Sequence, residues 1–243
     1  MIEKIKSELN EVTVLLREIP SMMVALVILC TVLMNLLANR ELVTLPYFCQ
    51  DCGSLISWIP FAFALDVICK RFGGKASATI SVIAIIINLA TCGLMKLLML
   101  TPGHWGEFYA SGAAADLALN TTFGGAWYVV IMSGVAAFVG AVVNAILNQT
   151  LGRKFDKGNF KGFMIRSYIS TFISIVVNVF VFAACVSHVL LGWTWSMVFV
   201  CAITGSLFQL LFEVVFSPLG YKMVKGWERD NVGQKYLELI ANK

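Results

Sequence analysis

Two acidic residues stand where a lipid environment tolerates them least: Asp66, four residues before Lys70, and Glu213, one helical turn after Gln209. A carboxylate at the centre of a bilayer costs about 3 kcal/mol on insertion scales, so each must face the interior of a helix bundle and find a partner. Amides recur around them at helical spacing: Asn35 with Asn39, Asn144 with Asn148, and Asn178 with Ser174. Such groups donate and accept hydrogen bonds and can read the edge of a small ligand. They also make plain interhelical hydrogen bonds, the favoured reading for the asparagines. For Asp66 an ion pair with Lys70 or Arg71 at a helix end is an equal alternative. Glu213 has no basic residue within a turn. The bond-making patterns are missing, with no phosphate-cradling Walker loop, zinc-protease helix or nucleophile elbow. The two histidines lie far apart, so no enzyme and no cofactor is expected. Cys49 and Cys52 form a CxxC, but two thiols cannot make a four-ligand zinc site. A local disulfide or two free cysteines is the expectation there.

The elements that must carry these residues follow from composition. Of 243 residues, 59% are hydrophobic and 13% charged, against roughly 25% charged in a soluble domain. That excludes a water-soluble globule, and with it most cytosolic enzymes, nucleic-acid binders and secreted disulfide scaffolds. Uncharged runs cover 19–39, 76–95, 117–152 and 167–212. They are continuous and lack the alternation of a membrane strand. A hydrocarbon core about 30 Å thick takes a helix of about 20 residues. The expected fold is therefore an all-α integral membrane protein with six transmembrane helices at 20–39, 54–70, 77–99, 125–148, 166–188 and 195–218. Gly192 and the tryptophans beside it suit an interfacial turn between the last two.

In this arrangement every Lys and Arg except Arg40 and Lys96 falls on one face. The positive-inside rule then puts both termini in the cytoplasm and the protein in the cell (inner) membrane. Residues 1–18 place Ile2, Ile5, Leu9, Val12, Leu15 and Ile19 at intervals of three and four, the stripe of an amphipathic helix on the membrane or the bundle. Residues 19–221 form the six-helix transmembrane domain, and 222–243 a cytoplasmic tail that reads as a short solvated helix. The two Asn-x3-Asn pairs close the first span of each three-span half, which fits a 3+3 inverted repeat. Ala136 and Gly140 suit close helix packing.

Five segments carry a resemblance: Met34-Asn-Leu-Leu-Ala-Asn39, Ser57-Trp58, Asp66-Val-Ile-Cys-Lys-Arg-Phe-Gly73 with Lys75-Ala76, Arg166-Ser-Tyr-Ile-Ser-Thr171, and Phe216-Ser-Pro-Leu-Gly-Tyr-Lys222. In this order and spacing they resemble the VUT family of six-span queuosine precursor transporters. The resemblance implies import of queuine or a related 7-deazaguanine base for tRNA modification salvage. By position it carries Asp66, Arg166, Ser170, Thr171 and Glu213 into the substrate site. The chain departs from the family pattern at Ile175, Asn178 and Gln209, which points to a relative of queuine. Read as physics, a flat heterocycle needs a few fixed polar groups on its edge and apolar faces for stacking. Asp66, Glu213, Asn178 and Gln209 could supply the edge, with Asn35, Asn39 and Asn144 beside them; Phe63, Phe182, Phe208 and Phe212 are candidate faces. The expected partners are the small-molecule substrate and the lipid bilayer, with no nucleic acid. Homodimerisation stays open, as does the alternative of a substrate-binding subunit energised by a separate ATPase complex.

Overall fold

The computed structural model describes residues 2–45, 48–103, 113–155 and 160–242. In chain order these form helix α1 (Ile2–Glu18), α2 (Ser21–Leu36) with a 3-10 turn (Leu37–Asn39), strands β1 (Glu41–Leu45) and β2 (Phe48–Asp51), α3 (Cys52–Ile56), a π-helical turn (Ile59–Ala64) and α4 (Leu65–Phe72). Then come α5 (Gly74–Met99), α6 (Ala113–Phe155), α7 (Phe160–Phe182), a second π-helical turn (Ala183–Ser187), the short α8 (His188–Leu190), α9 (Trp195–Arg229) and α10 (Gln234–Ala241). Four helices among the described residues are long and apolar enough to cross a membrane: Gly74–Met99, Ala114–Val143, Ile169–Leu190 and Trp195–Arg229. A fifth candidate is the pair Lys6–Glu18 and Ser21–Leu36, bent by 101°. No more than 33% of the most apolar window of any of the four is buried inside the molecule. Large apolar side chains such as Phe138, Phe199 and Leu211 therefore stand outward, a surface suited to lipid and not to water.

Two expectations need correction. The 54–70 segment is not one regular helix: α3, the π turn and α4 follow one another, and Pro60 sits at the start of the π turn. Proline has no N–H to donate and crowds the preceding turn, so a regular ladder breaks there. The segment before it, expected only as a loop, holds a hairpin in which β1 and β2 pair antiparallel with Val43 opposite Gln50 and Leu45 opposite Phe48. The fold is thus helical with one small hairpin.

Residues Met1–Leu33, Ile56–Asn88 and Leu211–Lys243 make one compact unit. Leu15, Ile19, Val27, Val67, Ile68, Ile80 and Tyr236 are buried in its core. The C-terminal part of the α1 stripe, Leu15 and Ile19, is thus buried by protein while Leu9 stays exposed, and α10 packs against this helix. Lys75 Nζ ties this layer together, 2.7 Å from Glu11 Oε1 and 3.1 Å from Glu8 Oε2. Arg71 Nε donates to the Val232 carbonyl at 2.9 Å. The tail is therefore not a solvated helix: α9 continues to Arg229 and α10 docks with Tyr236 buried. The turn between them requires Gly233, whose φ is +81°, and a Cβ there would stand 2.1 Å from Phe72 Cε1. Gly233→Ala should combine a left-handed backbone penalty of about 1 kcal/mol with displacement of a buried ring costing about 1–3 kcal/mol. The expected result is a lower Tm of the purified protein; an unchanged Tm would refute it.

Residues Met34–Leu55 and Leu89–Leu210 make the second unit. Its largest helix pair is α6 against α7, where a Cβ on Gly140 would lie 3.0 Å from Asn178 Cβ and 3.1 Å from the Ser174 carbonyl. That is the close approach expected of a small residue at this position. Tyr128 donates to the Cys185 carbonyl at 2.7 Å, holding the second π turn to α6. The turn after α8 uses Gly192 at φ +69°. Trp193, expected at an interface, is instead fully buried, and its indole N–H donates to Glu41 Oε1 of β1.

Candidate functional site

In the first unit the two membrane acids come within electrostatic reach of each other. Asp66 Oδ2 lies 2.7 Å from Lys70 Nζ, the ion pair anticipated from their i,i+4 spacing. Glu213, half-buried on α9, has no hydrogen bond or ion pair among the described residues, and feels both the Asp66 carboxylate and the Lys70 ammonium. Lys70 is thus paired with Asp66 while its charge also reaches Glu213. Beside Glu213 in sequence, Phe212 and Phe216 are both stacked on Trp58, with centroids at 4.7 and 4.5 Å and planes within 13° and 22°. Phe63 meets Phe216 edge-on at 6.3 Å. Such ring pairs prefer offset stacked or edge-to-face geometry. α9 can approach the 52–72 segment this closely because Gly220 faces Val67 Cγ2, which a Cβ would meet at 3.1 Å. Of the expected aromatic faces Phe63 and Phe212 belong here, whereas Phe182 packs in a separate apolar cluster with Ala38, Val129 and Val186 and Phe208 is exposed.

In the second unit Asn35, Ser170 and Gln209 are buried, and each has an interaction partner. Thr171 is half-buried on α7, and its carbonyl accepts from Ser174 Oγ at 2.9 Å. Asn178 is half-buried, and its Cβ lies against Gly140 where α7 packs on α6. Asn39, Asn144 and Arg166 lie on described helical backbone, but their side chains fall outside the described ones. The Cys49 side chain does so too, while Cys52 is a free thiol.

The sequence reading passed over the two residues between those cysteines. Gln50 and Asp51 are 6% and 1% exposed. Asp51 caps α3: its Oδ1 accepts from the Ser54 N–H at 2.7 Å and its Oδ2 from the Ser54 hydroxyl at 2.6 Å, as an N-cap residue does. Burial pushes its carboxyl above the usual range, and the bonds from Ser54 oppose that shift. Gln50 lies against Gly205 of α9, where a Cβ would meet its Oε1 at 3.8 Å, its Nε2 at 3.9 Å and Val179 Cγ1 at 3.5 Å. The one available signal was Asp51 three residues before Ser54 at the start of a helical segment, the spacing of an N-cap. Asn88 was missed as well; it is buried in the first unit and donates to the Thr31 carbonyl at 3.4 Å.

Among the described residues no three His, Cys, Asp or Glu side chains converge as metal ligands. Several long apolar helices with outward-facing surfaces and a few polar groups held inside define a multi-pass helical membrane protein. Residues 52–223 match the family model described as "Putative vitamin uptake transporter", and the chain belongs to that family. No curated protein and no solved structure is matched.

Proposed function

We propose that the protein imports a queuosine precursor, queuine or a related 7-deazaguanine base, for tRNA modification salvage. The observation that carries this reading is the Asp66–Lys70–Glu213 group with Trp58, Phe212 and Phe216 in the same unit. A flat base with several N–H donors and a polarisable face asks for carboxylate acceptors and aromatic rings together. Transport family membership over 52–223 supports the activity class. In this reading α2 with its 3-10 turn and the 52–72 segment supply two crossings besides the four long helices, giving six with both termini cytoplasmic. At about 1.5 Å per residue the 52–72 segment reaches about 30 Å, enough to span. The basic residues, crowded on one face of that arrangement, support the orientation.

Cells lacking their own uptake system and expressing this protein alone should accumulate labelled queuine above vector controls. Accumulation only when ATPase subunits are added would transfer the reading to an energised complex in which this chain binds substrate. Binding of no deazaguanine to the purified protein would refute both.

A further inference from the structure

Gln50 and Ser187, both in the second unit, each bury a side-chain oxygen that has no hydrogen-bond partner among the described residues, and the Gln50 carboxamide is the larger and more polar of the two. It is 6% exposed, and its Oε1 is fully buried with no hydrogen-bond partner among the described residues. Buried polar atoms without partners are few in native proteins, and each calls for a reason such as strain or a ligand. Strain in the support is not that reason, because the carboxamide is presented by a firm local structure. Its strand pairs through Val43, and the next residue, Asp51, caps α3 through two short bonds. The amide itself sits beside the bare Cα of Gly205, flanked by Val179. Ser206 and Gln209, the next buried polar residues of α9, follow within one turn of that glycine. A rigidly held carbonyl oxygen in apolar surroundings is an acceptor for a donor that arrives from elsewhere.

We propose that Gln50 is a substrate-binding residue whose side-chain carbonyl accepts a hydrogen bond from an N–H of the transported base. The proposal rests on the base-transport reading above and places a polar contact for the base within the second unit. A base lacking that N–H would leave the oxygen buried and unpaired, so the contact would select against it.

The test uses the full-length protein in detergent with 7-deazaguanine as probe. Gln50→Leu should weaken binding at least tenfold while leaving the ligand-free Tm unchanged or higher, because an unpaired acceptor has been replaced by an apolar group. Gly205→Leu, which pushes into the carboxamide with Gln50 intact, should weaken binding to a similar extent. Three further probes each lack one donor: the N1-methyl and N9-methyl derivatives and 7-deazahypoxanthine, which has no exocyclic amine. The Gln50→Leu penalty should vanish with one of the three. Equal binding by wild type and Gln50→Leu would overturn the proposal alone, as would a penalty unchanged across all three analogues. A ligand-free Tm lowered by Gln50→Leu with no loss of binding would assign the residue to packing. No binding by the wild type would instead overturn the base-transport reading, and this proposal with it.

Discussion

Replacing Gly53 with alanine is expected to leave little folded protein. The added Cβ would stand 2.3 Å from the Met34 carbonyl oxygen, 3.0 Å from Ala38 Cα and 3.0 Å from Asp51 Oδ1. Two of those three atoms are backbone at the end of α2, so no rotamer change relieves the overlap. The third belongs to the carboxylate that caps α3, so the substitution also attacks the cap. Overpacking a tight site costs about 1–3 kcal/mol and more where the backbone must move; losing a cap adds about 1 kcal/mol. Against a total stability of about 5–15 kcal/mol, the expected outcome is a sharp fall in monodisperse yield on size-exclusion chromatography. Gly53→Ala purifying with wild-type yield and Tm would disprove the close approach.

The second large effect concerns function. Glu213→Gln should reduce uptake of labelled base at least tenfold, about 1.4 kcal/mol in transition-state terms, with the amount of inserted protein unchanged. The substitution keeps the shape of the side chain and removes the charge that has no ion-pair partner among the described residues. Asp66→Asn should reduce uptake as well, but by less. The Asp66 and Lys70 side chains are 38% and 51% exposed, and an exposed i,i+4 pair contributes about 0.3–0.5 kcal/mol. Lys70 would also remain near Glu213 after the change. Undiminished uptake by both variants would make the acids structural.

The long helices were legible in the sequence because the apolar runs that make them are local: Gly74–Met99 and Trp195–Arg229 cover the runs that predicted them. The Asp66–Lys70 pair was legible for the same reason, since i,i+4 spacing places both on one helix face. What depends on the partner was not. The stripe on α1 announced a buried face but not that α10 would help cover it, and nothing local in the tail marks Tyr236 as core. Pro60 announced a break but not its π geometry. Gln50 and Asp51 were hidden behind the cysteines on either side, whose spacing attracted a disulfide or free-thiol reading while the buried polar pair lay between them. That Asp66 and Glu213 meet in one unit follows from the docking of the 52–72 segment on α9, a tertiary event with no sequence period.

The make-up of the first unit has a consequence for biogenesis. It is assembled from Met1–Leu33, Ile56–Asn88 and Leu211–Lys243. Helix α1 is therefore synthesised well before α10, which packs against it, and the core around Leu15 and Ile19 is completed only when Val224 and Tyr236 emerge. Residues of the second unit are all synthesised by Leu210. A ribosome stalled in the final turns of α9 would present a chain whose second unit is fully synthesised while α1 still lacks α10 against it, a species for quality-control proteases to recognise.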